Sequence, residues 1–268
     1  MKEINFDNLF SLDNKSILIT GAMGFLGKEI VLALSQFGGN FILTDLSNSV
    51  NENFLQEIQN KVRYKFFPCD LENEDDRENF LNNLKDSYGS IDVVINNAAF
   101  VGTSSLEGWA ADFHNQNTVA WRRAIEVNLT APFEIIQFLS KTKMLGKGSS
   151  IINIGSIYSF KAPKYSLYKD TEIKNPAAYA ASKGGLLQLT RWLSTTLASN
   201  TRVNSISLGG VFRNQNPTFV ERYIKKTPLQ RMAKENDIDG LIIFLATNMS
   251  EYITGQNFVI DGGWSIVN

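Results

Sequence analysis

Residues 16–37 read SILITGAMGFLGKEIVLALSQF, and this stretch decides how the chain folds. It contains a short apolar run of strand type, then the glycine pattern GxxGxxG at Gly21, Gly24 and Gly27, and then apolar residues at helical spacing. A strand, a glycine turn and a helix start bring unpaired backbone N–H groups and the helix dipole toward a phosphate. The stretch therefore predicts a phosphate-binding turn, with glycines that merely make a tight turn as the alternative.

Short apolar runs rich in β-branched or aromatic residues recur along the chain, with helix-like segments between them. Runs that are apolar throughout suit parallel strands covered on both faces. No composition break, low-complexity linker or repeat divides the chain, so we expect residues 1–268 to form one domain. The predicted fold is α/β, a doubly wound sheet of about seven parallel strands with helices on both faces. The predicted strands are 16–20, 41–44, 62–67, 91–95, 150–154, 202–206 and 257–260.

Composition excludes several classes of function. With 43% hydrophobic and 20% charged residues and a net charge of -1, the chain is typical of a globular protein and has no electrostatic preference for nucleic acid or anionic membrane. Its one cysteine, Cys69, and its one histidine, His114, predict neither an internal disulfide nor a metal site. Since no apolar run approaches the roughly 18 residues of a membrane span and residues 1–16 resemble no leader peptide, we expect a cytoplasmic protein.

An acidic residue ends the second predicted strand. Asp45 follows the glycine turn at about the spacing expected of a carboxylate that accepts hydrogen bonds from the adenosine ribose of a dinucleotide. The same carboxylate would repel a 2′-phosphate, and neither Ala22 nor Met23 offers a positive charge to bind one. The pattern predicts NAD(H) rather than NADP(H); a cap on the next helix is the alternative for Asp45.

Further candidates follow the next two strands. Asp70 and Leu71 come after the third strand and would meet the adenine, whereas Asn97, Ala98 and Ala99 come after the fourth, where small residues let the chain pass against the cofactor. Each alone could be turn chemistry. Together they follow consecutive strands along one edge of the predicted sheet.

A tyrosine and a lysine lie four residues apart in the helix-like segment that contains YAASK. Tyr179 and Lys183 therefore share one helix face. A tyrosine with a pKa of about 10 is a poor base at neutral pH, and lowering that pKa by three units takes roughly 4 kcal/mol. An ammonium about 4 Å away supplies that much at an effective dielectric constant near 20. We therefore expect Lys183 to activate Tyr179, with a solvated helix face as the alternative.

The motifs TGAMGFLG, NNAA, EVNLTAPF, INIGSIYS, YAASK and TGQNFVIDGGW occur in this order and resemble the short-chain dehydrogenase/reductase family over nearly the whole chain. The resemblance implies a Rossmann-type sheet, and a tyrosine, Tyr179, that exchanges a proton with the substrate while hydride moves to or from the nicotinamide. It implies that Lys183 holds the nicotinamide ribose, that Ser156 stabilises charge on the substrate oxygen, and that Asn128 holds a water linking Lys183 to solvent.

Alternatives for two of these residues are a strand-end turn at Ser156 and a helix kink at Asn128. The expected catalytic residues are Asn128, Ser156, Tyr179 and Lys183. The expected cofactor contacts are Gly21, Met23, Gly24, Phe25, Leu26, Gly27, Asp45, Leu46, Asp70, Leu71, Asn97, Ala98, Ala99, Tyr179, Lys183, Gly210 and Val211.

The sequence departs from the family pattern in three places. Its glycine spacing is more common in the longer, extended members. Leu208 stands where the family usually has proline, which puts the turn near the nicotinamide in question. The segment from Ser156 to Tyr179 is longer than in the short members. Long polar loops near 100–118, 157–177 and 209–228 are expected to form the substrate site.

Aromatic residues in these loops suit a sugar ring, although each could equally pack a loop onto the domain. The inserted loop resembles that of oxidoreductases among bacterial surface-glycan and flagellin-modification proteins, which favours a sugar or a nucleotide-activated sugar. Polyols, simple secondary alcohols and 3-oxoacyl substrates are alternatives, as is an inactive NAD-binding regulator. The family resemblance also implies a homodimer or homotetramer. The expected substrate contacts are Tyr158, Tyr168 and Phe212.

Overall fold

The computed structural model describes residues 9–46, 48, 50–101 and 106–267. Two of the ranges outside the described residues bear on predictions. Residues 1–8 belong to the segment that was expected not to be a leader peptide, and residues 102–105 belong to the expected substrate loop near 100–118. No helix in the described ranges is long and apolar enough to cross a membrane.

Seven parallel strands form one sheet in the order β3-β2-β1-β4-β5-β6-β7. The chain winds outward from β1 to β3, returns to the middle of the sheet at β4 and then winds outward in the other direction. The predicted doubly wound α/β fold is thus confirmed. The strands are β1 (Ser16–Thr20), β2 (Asn40–Asp45), β3 (Arg63–Pro68), β4 (Ile91–Asn96), β5 (Leu145–Ser156), β6 (Thr201–Leu208) and β7 (Asn257–Ile260).

Helices connect the strands and cover both faces of the sheet. The central strand shows why, because Ile17 and Ile19 pack into the core on one face while Leu18 packs into the core on the other. The helices are α1 (Phe25–Ser35), α2 (Glu52–Gln59), α3 (Glu74–Ser87), α4 (Thr118–Ile125), α5 (Ala131–Lys141), α6 (Ala177–Thr196), α7 (Pro217–Lys226), α8 (Asp239–Ala246) and the single turn α9 (Trp264–Val267).

Each face has its own hydrophobic core. Helices α1, α2 and α8 pack on the first face, for example through Ile30 and Ile242. Helices α3, α5 and α6 pack on the second, through residues such as Leu84, Ile135 and Leu193. With both faces covered, the edge formed by the carboxyl ends of the strands remains open for a ligand.

One strand and one helix differ from the sequence prediction in ways that affect the site. Strand β5 is longer than predicted and extends to Ser156, which brings this serine to the carboxyl edge of the sheet. Helices α4 and α5 are continuous through a π-helical turn at Glu126–Thr130. Asn128 lies inside this turn, and single π turns within helices are often found at functional sites.

Candidate active site

A cleft of about 970 Å³ follows the carboxyl edge of the sheet. It runs from the ends of β2 and β3 past the ends of β1 and β4 to the ends of β5 and β6. The strand order reverses between β1 and β4, and ligands of open α/β sheets bind at such a reversal. The cleft is thus in the position that the fold favours for a ligand.

The glycine turn between β1 and α1 packs so closely that side chains would not fit. Gly21 has a φ of +64°, and a Cβ there would lie 2.7 Å from the Cα of Ala98. A Cβ on Gly27 would lie 2.0 Å from the backbone oxygen of Gly21. Gly24 precedes α1 without a side-chain cap, and the first turn of the helix has no acidic residue. The positive end of α1 can therefore bind an anion.

The side chain of Asp45, at the end of β2, accepts hydrogen bonds from two backbone N–H groups. One carboxylate oxygen accepts a hydrogen bond from the N–H of Met23 and the other from the N–H of Leu46, each at 2.8 Å. Helix α2 is capped by Asn51, so the alternative of a helix cap for Asp45 is wrong. Each carboxylate oxygen can accept a second hydrogen bond, and Asp45 lines the cleft.

Met23 does not line the cleft as predicted. Its side chain is buried in the core, and its N–H is taken by Asp45. The tight turn between Gly21 and Gly24 forces Met23 inward, so its contribution is to fix the position of the carboxylate. The neighbouring residues Phe25 and Leu26 line the cleft as predicted.

The end of β3 closes the cleft beyond Asp45. Asp70 and Leu71 line this end together with Cys69. Burial, followed by the charges of Asp76 and Asp70, raises the pKa of the Cys69 thiol to about 12. A thiol with such a pKa is inert at neutral pH, and the role of Cys69 here is to provide apolar surface.

Residues after β4 fasten the floor of the cleft to β1. The side-chain nitrogen of Asn97 donates hydrogen bonds to the backbone oxygens of Thr20 and Gly21, at 3.0 and 2.9 Å. The hydroxyl of Thr20 accepts from the N–H groups of Asn97 and Ala98, both at 3.1 Å. These bonds hold Asn97, Ala98 and Ala99 along the cleft. The small side chains leave its middle open.

Tyr179 and Ser156 meet at the far end of the cleft. Ser156 ends β5 and Tyr179 lies in the first turn of α6, and their side chains are hydrogen-bonded to each other. The Ser156 hydroxyl also accepts from the N–H of Tyr158 at 3.2 Å, so its direction is fixed. Two hydroxyls on rigid elements therefore face one point in the cleft.

Several groups act on the pKa of Tyr179, and its activation by Lys183 stays a prediction. Burial raises this pKa above its ordinary value, and the effects that oppose it come from the Ser156 hydrogen bond and from the charge of Arg213. Lys183 itself is 2% exposed and donates a hydrogen bond to the backbone oxygen of Ile154 at 2.8 Å. Its burial lowers the pKa of Lys183 to about 8. Tyr179 and Lys183 lie four residues apart in α6, as the sequence predicts.

Asn128 is fully buried, and its side chain is bonded to protein groups on every side. Its oxygen accepts from the N–H of Phe100 at 2.6 Å, and its amide donates to the oxygen of Phe100 and to the hydroxyl of Ser182, at 3.2 and 3.0 Å. Ser182 in turn donates to the backbone oxygen of Tyr179. Both amide hydrogens are used, so the side chain of Asn128 fastens the first turn of α6 to the strand-end loop.

The inserted loop places two of the three predicted substrate residues in the cleft. The hydroxyls of Tyr158 and Tyr168 are hydrogen-bonded to each other and to the side chain of Asn175. Phe212 does not line the cleft; its N–H pairs with the oxygen of Ala233 and its side chain is 44% exposed. This pairing turns Phe212 away from the cleft.

The turn after β6 keeps its shape without the usual proline. Leu208 ends the strand, the N–H of Gly209 donates to the oxygen of Ile260, and the N–H of Gly210 donates to the hydroxyl of Tyr223 at 2.7 Å. The Tyr223 ring stacks on Trp264 with a centroid distance of 5.8 Å. Gly210 and Val211 line the cleft as predicted.

Several residues that line the cleft were not predicted from the sequence. They share a position in long loops or on α7, where neither periodicity nor a motif marks them. Most of them lie in the loops near 157–177 and 209–228, which were expected to form the substrate site without any of these residues being singled out. They are Lys174, Asn175, Arg213, Gln215, Phe219, Tyr223 and Met232.

The cleft fits a dinucleotide. An uncapped helix start stands at its middle, a carboxylate with spare lone pairs stands at one end, and a hydrogen-bonded tyrosine and serine stand at the other. Among the residues that the structure describes, no group of acidic, histidine or cysteine side chains is arranged to hold a metal ion.

Comparison with known proteins agrees with this arrangement. Residues 21–265 match the family model described as enoyl-(acyl carrier protein) reductase. The chain is 28% identical to post-translational flagellin modification protein A of Campylobacter coli, covering 95% of this chain and 100% of that protein. It is also 28% identical to 5-keto-D-gluconate 5-reductase of Escherichia coli strain K12, covering 96% of this chain and 98% of that protein.

Solved structures of similar proteins contain nicotinamide cofactors. A short-chain dehydrogenase from Leptospira borgpetersenii with bound NAD⁺ is 30% identical, with a TM-score of 0.82 over 99% of this chain and 97% of that one. A structure from Beutenbergia cavernae that holds NADP at low occupancy is 26% identical, with a TM-score of 0.83 over 96% and 99% of the two chains. The chain belongs to the short-chain dehydrogenase/reductase family, as an oxidoreductase that acts on alcohols or ketones.

Proposed function

We propose that this protein transfers hydride between NAD(H) and a secondary alcohol or ketone on a sugar or a nucleotide-activated sugar. The observation that carries the proposal is the hydrogen bond between Tyr179 and Ser156 at the end of a cleft that begins at the glycine turn. The bound nicotinamide would supply the carbon that accepts or donates the hydride. All proton chemistry then falls to side chains at the Tyr179 end of the cleft.

Tyr179 is the group that exchanges the proton. Its hydroxyl and that of Ser156 can both bond one substrate oxygen, because they already bond each other and both lie on rigid elements. In the oxidation direction Tyr179 first loses its own proton to solvent, and the phenolate then accepts the hydroxyl proton as the carbon gives up hydride, while Ser156 donates to the oxygen as it becomes a carbonyl. In reduction the same proton returns from Tyr179.

Lys183 and Asn128 support this step in different ways. Lys183 is a buried donor one helical turn after Tyr179, and we assign it to the ribose hydroxyls next to the nicotinamide. The side chain of Asn128 has no N–H left for a relay water, so we assign it the positioning of Tyr179 through Ser182. A relay water would then have to be held by an oxygen atom rather than by this amide N–H.

NAD(H) rather than NADP(H) is supported by the carboxylate of Asp45. This side chain is fixed by two backbone N–H groups at the ribose end of the cleft, where it can accept from a 2′-hydroxyl but repels a 2′-phosphate. A second carboxylate, that of Asp70, also lines this end of the cleft, and the arginine that lines it, Arg123, is paired with Glu72 at 2.8 Å.

A polyhydroxylated substrate is supported by the polar cluster in the inserted loop. Tyr158, Tyr168 and Asn175 place two hydroxyls and an amide in the cleft near Tyr179. The similarity to 5-keto-D-gluconate 5-reductase also supports a polyhydroxylated substrate. The aromatic rings of these tyrosines also offer faces on which a sugar ring can pack.

A homodimer or homotetramer is supported by large apolar side chains on helices α4, α5 and α6. Trp121, Phe133 and Trp192 are exposed on these helices. Light scattering should therefore report at least twice the mass of one chain, and a monomer at micromolar concentration would contradict this proposal.

The decisive experiment follows NADH by absorbance with a panel of nucleotide sugars, free sugars, polyols, simple secondary alcohols and a 3-oxoacyl thioester. Tyr179→Phe and Tyr165→Phe are assayed in parallel, because Tyr165 is exposed and lies outside the cleft. We expect turnover of a sugar substrate that is lost only in Tyr179→Phe, with NAD⁺ still bound by both variants.

Other outcomes would replace the proposal. Turnover confined to simple alcohols, polyols or acyl thioesters would contradict the sugar assignment. Turnover that survives in Tyr179→Phe would contradict the proton-transfer role. NAD⁺ binding without turnover on any compound would favour an inactive regulator.

A further inference from the structure

Arg213, in the loop after β6, is a cation that lines the cleft and forms a long ion pair with Glu235. Its Nε lies 3.8 Å from a carboxylate oxygen of Glu235, the outer limit of an ion pair, and 35% of its side chain is exposed. Its guanidinium lies 4.8 Å from the centre of the Phe25 ring at the start of α1. Arg213 therefore reaches across the cleft from the loop to the glycine turn.

The charge of Arg213 acts on the reacting end of the cleft. It is the cation that lowers the pKa of Tyr179 against the effect of burial, and the Tyr179 hydroxyl acts back on the pKa of Arg213. Both residues line the same cleft. A negatively charged group bound in the cleft between Tyr179 and Arg213 would be attracted by the Arg213 charge.

Charged residues are distributed unevenly along the cleft. The acidic residues that line it, Asp45, Asp70 and Glu72, belong to the ends of β2 and β3, where the lining residue Arg123 is paired with Glu72 at 2.8 Å. At the Tyr179 end the charged lining residues that the structure describes are Lys174 and Lys183 together with Arg213. Lys174 is paired with Asp112 at 3.2 Å, and Lys183 donates a hydrogen bond to a backbone oxygen. The ion pair of Arg213, at 3.8 Å, is longer than either of these contacts.

A polar acceptor lies in the same end of the cleft. The side-chain oxygen of Asn175 is buried and has no hydrogen-bond partner among the described residues. The Asn175 side chain bonds the hydroxyls of Tyr158 and Tyr168, which fixes its orientation. An unpaired buried acceptor is costly, and a sugar hydroxyl could donate to this one only after the side chains that cover it have moved.

We propose that Arg213 binds an anionic group of the substrate, a carboxylate or a phosphate, so that the preferred substrates are acidic sugars rather than neutral ones. The proposal rests on the proposed function and specifies the substrate class of that site. The planar guanidinium matches either oxyanion with two parallel hydrogen bonds, whereas Lys174 could offer only a point charge. The diphosphate of a dinucleotide is already provided for by the uncapped start of α1.

The test measures binding by calorimetry to the protein saturated with NAD⁺. The probes are D-gluconate with its neutral counterpart D-glucitol, and glucose 6-phosphate with glucose. The variants are Arg213→Gln, Arg213→Lys and Arg63→Gln, the last removing an exposed arginine at the opposite edge of the sheet. The NAD⁺ affinity of each variant is measured separately.

We expect an anionic probe to bind at least tenfold more tightly than its neutral counterpart. Arg213→Gln should remove most of this preference, Arg213→Lys should keep part of it, and Arg63→Gln should leave it unchanged. The NAD⁺ affinity should change less than threefold in all three. Equal binding of charged and neutral probes, or a preference that survives Arg213→Gln, would overturn the proposal.

A large loss of NAD⁺ affinity in Arg213→Gln would also overturn it, because Arg213 would then serve the cofactor diphosphate. These outcomes are separate from failure of the proposed function. Turnover of neutral sugars that depends on Tyr179 would keep the oxidoreductase and remove only the anion site.

Discussion

The side-chain nitrogen of Lys183 donates a hydrogen bond to the backbone oxygen of Ile154 at 2.8 Å in a position where 2% of the lysine is exposed. Burial of the ammonium lowers the pKa of Lys183 from an ordinary 10.5 to about 8. The folded protein therefore releases this proton at a lower pH than the unfolded chain does. The unfolded state holds more protons between pH 8 and 10.5, so stability should rise with pH across this window.

Replacement of Lys183 by methionine should therefore stabilise the protein at pH 7. The substitution removes the cost of burying a charge, but it also removes the stabilising hydrogen bond to Ile154. We therefore expect the free energy of unfolding to rise by about 1–3 kcal/mol. Urea unfolding of both proteins at pH 7 and at pH 10.5 measures this. The difference should shrink at pH 10.5, where the wild-type lysine is neutral in the folded state. Lower stability of the variant at pH 7 would show that the ammonium is a net stabilising group.

Much of the fold could be predicted from the sequence, because its determinants are local. Strand β1 is apolar at every position from Ile17 to Ile19, which matches a strand buried on both faces, and the glycine pattern follows it directly. Strand β5 was predicted too short because its first residues, Leu145–Ser149, include glycine and lysine and lack a strand pattern. Its pairing with neighbouring strands overrides that weak local preference.

The site was predictable to the extent that it lies at strand ends. Asp45 was predicted from its place at the end of a strand, Tyr179 from its spacing to Lys183, and Ser156 from the family resemblance of its motif. The directions of Met23 and Phe212 depend on which partner takes the backbone N–H, and that partner is distant in sequence. Arg213 was missed for the same reason, since its position over Phe25 arises only when two loops meet.

Replacement of Asp45 by asparagine should reduce the preference for NADH over NADPH. The single amide oxygen can still accept a hydrogen bond from one of the two N–H groups, of Met23 or of Leu46, and the side chain no longer repels a 2′-phosphate. We expect the ratio of the two dissociation constants to fall by at least about tenfold, equivalent to about 1.4 kcal/mol. Fluorescence titration of both cofactors measures the ratio. Asp70→Asn, at the same end of the cleft, is the control and should change the ratio less than threefold; a wild-type preference for NADPH would sink the assignment.

Replacement of Arg77 by alanine should destabilise the protein strongly. Arg77 on α3 is 2% exposed and its guanidinium lies 2.6 Å from Glu126 in the π turn and 2.6 Å from Glu134 on α5. It also donates to the backbone oxygen of Leu71 in the cleft wall. Its removal leaves two carboxylates without their cation, so we expect a loss of about 3–5 kcal/mol in the free energy of unfolding.

The control for Arg77 is an ion pair of equal length at the surface. Lys225 and Glu221 are also 2.6 Å apart, but their side chains are 71% and 65% exposed. Lys225→Ala should therefore cost less than about 1 kcal/mol. Chemical denaturation measures the free energy of unfolding of both variants. Equal losses in the two variants would mean that burial of an ion pair does not determine how much it contributes to stability.

Replacement of Asp239 by asparagine should stabilise the protein near neutral pH. Asp239 begins α8, where one of its carboxyl oxygens is buried without a hydrogen-bond partner among the described residues. Burial and the charge of Glu29 raise the pKa of Asp239 from an ordinary 3.8 to about 6. The folded state therefore favours the protonated carboxyl, and the stability this contributes is complete below pH 3.8 and lost as the pH rises through 6.

At pH 7.5 Asp239→Asn should gain about 1 kcal/mol over the wild type, after allowance for the solvent that still reaches the side chain, and the gain should vanish near pH 4. Asp237→Asn is the matched control in the preceding turn. A hydrogen bond from Arg231 lowers the pKa of Asp237, so its charge stabilises the folded state above pH 3.8, and the variant should lose stability at pH 7.5. Thermal unfolding across this pH range measures both variants. Because the two substitutions remove the same charge two positions apart, effects of the same sign would show that total charge, rather than the surroundings of each carboxylate, controls the pH dependence.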